Sequence, residues 1–125
     1  MYCVYFYRTI DISGCHRDIT GLGIKTLGVC PSLTSLDISY LYKVDDESMQ
    51  VLARSGRLKF LTARACSALT DEAFEDLACL CSNLELLDVS GCFNVSYRTV
   101  SCFMESMSLD GNKKLTLRIG GMYAM

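Results

Sequence analysis

No apolar run in this chain of 125 residues approaches the 18 or so residues that a membrane-spanning helix needs, so no membrane partner is expected. The opening MYCVYFYR has neither the charged start nor the long apolar middle of a secretory signal, and no export is implied. Basic clusters are missing too. Lysine and arginine number 12 against 14 acids, and Lys113-Lys114 is the only basic pair, so nucleic acid is not an expected partner. Histidine occurs once, at His16, directly after Cys15. A Cys/His nucleophile needs its two members brought together from separate parts of a fold, with a third group to orient the base. Cys15 is expected to face inward and His16 outward, so no enzyme is expected. A glycine-rich phosphate loop is also lacking, since Gly21-Leu22-Gly23 stands alone, and no cofactor is implied.

Hydrophobic residues make up 50% of the chain, enough to bury a core within one domain. Cysteine is abundant, with eight residues. Most sit among apolar neighbours, where a thiol behaves as a small hydrophobe. Cys79-x-Cys81 is the only close pair, with no second pair and histidine at finger-like spacing, so no metal is expected. Without an export signal the expected setting is the reducing cytoplasm, with free thiols.

A repeat organises the rest. DISGC at 11–15 returns as DVSGC at 88–92, with DIS at 37–39 and a blurred TARAC at 62–66. The starts Asp11, Asp37, Thr62 and Asp88 are 26, 25 and 26 residues apart, the mark of stacked units. Around each start, Leu84, Leu87 and Val89 have counterparts in Leu58, Leu61 and Ala63, in Leu33, Leu36 and Ile38, and in Tyr7, Ile10 and Ile12. Their alternation predicts a short strand with one face buried.

Further along, Ile19, Ile24 and Leu27 match Val44, Met49 and Leu52, then Leu69, Phe74 and Leu77, then Val95, Val100 and Phe103, with Met104 beside the last. That spacing predicts a helix in each unit. Thr20, Asp45, Thr70 and Ser96 are placed to cap the helix starts, and Asp46, Glu47, Asp71 and Glu72 suit the positive end of the dipole. Units are expected near 4–29, 30–54, 55–80 and 81–111, with a last strand at 114–121 in which Leu117 and Ile119 match Leu87 and Val89. The Asp110-Gly111-Asn112 stretch absorbs the longer final spacing.

The pattern C-x-x-L-x-x-L-D-I-S-G-C, carried by residues 30–39, 81–92 and, in degenerate form, 55–66, resembles the cysteine-containing leucine-rich repeats. That subclass is best known from F-box/leucine-rich-repeat proteins, which recruit substrates to SCF ubiquitin ligases. A relative is a structural subunit of the ciliary nexin–dynein regulatory complex. The resemblance implies an α/β leucine-rich-repeat solenoid, a short curved horseshoe with parallel strands on its concave side and helices on its convex side. It also implies a non-catalytic protein–protein interaction module. Such a module would serve as a ligase adaptor in the cytoplasm or, alternatively, as a scaffold in the cilium and its axoneme. Two departures from the pattern stand out: Tyr40-Leu41 replaces Gly-Cys, and Arg64 replaces serine.

Candidate binding residues are those that the repeat itself does not need. Side chains flanking the buried strand positions point to the open face, where Phe60 and Leu86 are apolar and Arg64 is charged. These three form a candidate anchor for a partner, because aromatic and arginine side chains commonly dominate interface energy. Asp11, Asp37 and Asp88 form an acidic column able to receive a basic segment, although aspartate here also belongs to the repeat pattern. Tyr40 and Tyr42 are candidates for an edge contact. The run MYCVYFY at 1–7 reads as an open edge at the first strand, which a protein partner or upstream sequence would cover, unless Tyr2, Tyr5 and Tyr7 fold over the end of the core and seal it.

The register carries a direct test. Leu87→Ala is expected to cost about 2–5 kcal/mol in thermal unfolding, whereas Asp88→Ala beside it, on the open face, is expected to cost little.

Overall fold

The computed structural model describes residues 8–15, 21–109 and 114–121. Strands and helices alternate: β1 (Thr9–Asp11), α1 (Gly21–Leu27), β2 (Ser35–Asp37), α2 (Asp46–Ser55), β3 (Phe60–Thr62), α3 (Asp71–Leu80), β4 (Leu86–Asp88), α4 (Tyr97–Leu109) and β5 (Thr116–Arg118). The five strands form one parallel sheet in chain order. Pairing follows the repeat: Ile10 stands opposite Leu36, Leu36 opposite Leu61, Leu61 opposite Leu87, and Leu87 opposite Leu117. Consecutive helices pack against one another as the strands do. The result is an α/β stack in which each unit supplies one strand and one helix.

Backbone pairing outlasts the three-residue strands. Ile12, Ile38, Ala63 and Val89 donate their amides to Asp37, Thr62, Asp88 and Arg118, the matching residues of the next unit. One turn further, Gly14, Tyr40, Ala65 and Gly91 donate to Ser39, Arg64, Ser90 and Gly120.

The core is the layer between sheet and helices. Leu36, Leu61 and Leu87 are buried from the strands, and Met49, Leu52, Phe74, Leu77 and Phe103 from the helices. The buried faces agree with the expected register at β2, β3 and β4. At the flanks the cover is thinner: Ile10, Ile12, Leu27 and Leu117 are only partly buried. Three expectations fail. Met104 is 59% exposed because, at one residue past buried Phe103, it is turned by about 100° around the helix. Ile119 is exposed, since no described unit lies beyond β5 to cover it. Cys15 is exposed rather than inward. Its counterpart Cys92 is buried against the preceding unit, donating its thiol to the Ala63 carbonyl at 2.9 Å, and no described unit precedes Cys15. Tyr7, His16, Ile19 and Thr20 lie outside the described residues, as does the run at 1–7.

Polar bonds also run between units. The thiol of Cys66 donates to the Ile38 carbonyl at 3.1 Å, as Cys92 does to Ala63 one unit later. Burial pushes the Cys66 thiol up to about 12 and raises Cys92 as well, so both stay protonated and able to donate.

The starts of α2, α3 and α4 are capped at the expected positions. Asp45 accepts from the Ser48 amide and hydroxyl, Thr70 from the Glu72 amide, and Ser96 from the Arg98 amide. The acids that follow the caps have a further task. Asp46 accepts from the amide and hydroxyl of Thr70, and Asp71 from the amide and hydroxyl of Ser96 and the hydroxyl of Thr99. Each carboxylate thus holds the helix start of the next unit.

One turn position demands a left-handed backbone in every unit. Gly14, Gly91 and Gly121 occupy it at φ of 74–76°, but Tyr40 (φ 66°) and Ala65 (φ 55°) occupy it in the second and third units. A non-glycine residue is strained there. Tyr40→Gly is therefore expected to leave stability unchanged or raise it by up to about 1 kcal/mol. Denaturant midpoints of the two chains check this, and a clear loss would mean that the Tyr40 ring contributes packing that outweighs the strain.

Candidate functional site

The sheet face turned away from the helices is built in rows, because matched positions of parallel strands stand side by side about 4.8 Å apart. The first row is Thr9, Ser35, Phe60, Leu86 and Thr116, and the second is Asp11, Asp37, Thr62, Asp88 and Arg118. Phe60 and Leu86 are thus direct neighbours, Phe60 40% exposed and Leu86 half-buried. Together they make an apolar spot bordered by the hydroxyls of Ser35 and Thr116. Of the eight residues singled out on the sequence, these two share the first row and Asp11, Asp37 and Asp88 the second.

Arg64 and Asp88 meet directly. The Arg64 Nε donates to Asp88 Oδ2 at 2.7 Å, and its backbone amide is held by the Ser39 hydroxyl at 3.1 Å. Arg64 is about half exposed, whereas Asp88 is 1% exposed. The guanidinium lies over the carboxylate, so Asp88 is not an open-face residue, and the expectation that its removal costs little is corrected. Burial pushes the Asp88 carboxyl up, but bonds from the Ser90 hydroxyl and amide and from Arg64 outweigh it and leave the group below its ordinary value. The same bond raises Arg64.

The acidic column is accordingly broken. Asp11 and Asp37 stand opposite each other, Thr62 interrupts, Asp88 is covered, and Arg118 follows in register. Asp11 is exposed and is lowered by the Ser13 hydroxyl and amide, which donate at 2.6 and 2.9 Å. Asp37 is half-buried and accepts from the Ser39 amide at 3.0 Å. Aspartate in this row first closes its own turn, as Asp88 also does with Ser90. Charge on the face therefore runs from acidic at β1–β2 to basic at Arg64 and Arg118.

Tyr40 and Tyr42 lie off the rows, on the loop after β2, and are 48% and 52% exposed. The Tyr40 amide donates to the Arg64 carbonyl at 2.8 Å, which puts Tyr40 at the Arg64 end of the face. Ser39, expected from alternation on the open face, is instead 2% exposed, and its hydroxyl accepts from the Arg64 amide. Among the described residues no group of three or more histidine, cysteine or acidic side chains is arranged to hold a metal ion. No described helix is long and apolar enough to cross a membrane.

Asp88 is lowered in the fold from an ordinary 3.8, so its contribution to stability is fully present above that value and is lost as pH falls through the folded value. At pH 7, Asp88→Ala is expected to cost about 1–3 kcal/mol, because Arg64 and Ser90 lose their acceptor. Arg64→Ala should raise the pH at which acid unfolding begins. Denaturant melts at pH 7 and pH 3 check both, and wild-type behaviour in both variants would contradict the buried pair.

No family model matches the sequence. Among solved structures, the chain is similar to one in the crystal structure of the Rad7 and Elc1 complex in yeast, with a TM-score of 0.76 and 21% identity. The match covers 90% of this chain and 28% of that one. At that identity the likeness is one of fold, and this chain spans little more than a quarter of its neighbour's length.

Proposed function

We propose that the chain is a non-catalytic protein-interaction module of the cysteine-containing leucine-rich-repeat type, which recruits or holds a partner protein on its strand face. The observation that carries this reading is the in-register pair Phe60 and Leu86, apolar side chains on an otherwise polar sheet face, beside an arginine whose backbone and side chain are both held. A bulky ring flanked by a fixed guanidinium is the kind of anchor that dominates protein interfaces. In a curved horseshoe, as the repeat implies, that spot lies on the concave side, with Tyr40 and Tyr42 at its rim and Asp37 on its acidic flank. The fold likeness supports the reading from a second side, since the neighbouring structure is a complex of two proteins. In its specific form, the module is the substrate-recognition part of an SCF ubiquitin ligase. A protein partner also covers the β1 edge of the described sheet.

The test compares wild type, Phe60→Ala and Phe93→Ala as immobilised full chains in native tissue extract, with retained proteins quantified after a high-salt wash. Phe93 is 67% exposed on the loop after β4, away from the strand face, and serves as the control. Phe60→Ala should lower retention of specific partners about tenfold or more, and Phe93→Ala should not. A folded Phe60→Ala chain that retains the same proteins as wild type overturns the assignment.

A further inference from the structure

On the helix side, α3 and α4 enclose a groove of about 480 Å³ lined by Glu75, Cys79, Cys102, Glu105 and Ser106. Two cross-helix bonds fix which side chains face each other there. Arg98 pairs with Glu75, and the Ser106 hydroxyl donates to the Ala78 carbonyl at 2.9 Å. Residues four apart on a helix lie one above the other, so Arg98, Cys102 and Ser106 form one stripe. Cys102 therefore sits between the two bonded contacts, at the level of α3 between Glu75 and Ala78. Cys79 follows Ala78 and stands one turn above Glu75. The Ser106 bond also shows that the backbones approach closely here, since a hydroxyl on a single carbon reaches the neighbouring carbonyl.

We infer that Cys79 and Cys102 form a two-thiol modification site that takes a disulfide oxidant of the glutathione class and closes to a disulfide across α3 and α4. The other described cysteines do not share this arrangement: Cys30, Cys66, Cys81 and Cys92 are buried, and Cys15 lies in the first unit. Cys79 is exposed and Cys102 is half-buried, which sets the order of the two steps. The Cys79 thiolate attacks one sulfur of the oxidant, breaks its S–S bond and releases one thiol after proton uptake. Cys102, giving its proton to solvent, then attacks the Cys79 sulfur of the mixed disulfide and releases the second thiol. Two protein thiols are oxidised and one small disulfide is reduced to two thiols. Burial, Glu75 and Glu105 raise the Cys102 thiol, consistent with its acting second, within the protein.

The experiment treats the full reduced chain with oxidised glutathione under argon, then quenches with acid and measures intact mass without reductant. The expected digest contains one linked pair joining Cys79 and Cys102, with no glutathione on either residue, whatever adduct exposed Cys15 carries. Cys102→Ser should stop at a glutathione adduct on Cys79, and Cys79→Ser should lose the linked pair. Circular dichroism establishes that both serine variants are folded. A wild-type chain that keeps a stable adduct on Cys79 or leaves Cys79 and Cys102 unreacted, or a linked pair at Cys102 that persists in Cys79→Ser, overturns the inference.

Discussion

Each unit of this stack presents polar groups that only its neighbour satisfies, and that dependence governs the architecture. A short strand buries one leucine and leaves its backbone amides to the next strand. A helix start leaves orphan amides, which the cap residue and its own unit satisfy only in part. Side chains join the units as well: the Asp46 and Asp71 carboxylates accept from the amides and hydroxyls of the following cap residues, and the Cys66 and Cys92 thiols donate back to the preceding carbonyls. Apolar contact alone would let units slide past one another. These directional bonds fix one register, so in-register rows of side chains exist on the strand face at all.

The open face inherits its order from that register. Because Phe60 stands opposite Leu86, two unremarkable apolar residues in different units become one spot. Because Asp88 stands one row on, it meets an arginine from the previous unit, and a potential acidic contact becomes the buried support of an exposed guanidinium. The helix side is organised differently. Its neighbours meet through stripes four residues apart, and this brings Cys79 and Cys102 into one groove.

The period made much of this legible. Leu36, Leu61 and Leu87 could be aligned by counting, and the caps at Asp45, Thr70 and Ser96 followed from residue type and place. Alternation names a face, however, and does not say whether that face is covered. Asp88 was assigned to the right side of its strand, but the cover came from Arg64, whose departure from the pattern was visible while its target was not. Cys15 and Ile119 mislead for a related reason: an inward register buries a residue only where another described unit packs on it. Met104 failed through helical geometry, one residue past a position that faces the core.

The Arg64–Asp88 pair also bears on how such a chain can change over evolution. Most bonds between units are generic, an aspartate to a threonine or serine, or a thiol to a carbonyl, so units joined in this way are interchangeable and can be duplicated or lost singly. The third and fourth are not. Arg64 reaches forward to an acid in the next unit, and Ser39 reaches forward to hold the backbone of Arg64. Deleting or transposing the third unit alone would strand a desolvated carboxylate beneath an empty space. A change at the third unit that keeps the fold must therefore also provide a new partner for Asp88 or remove its charge.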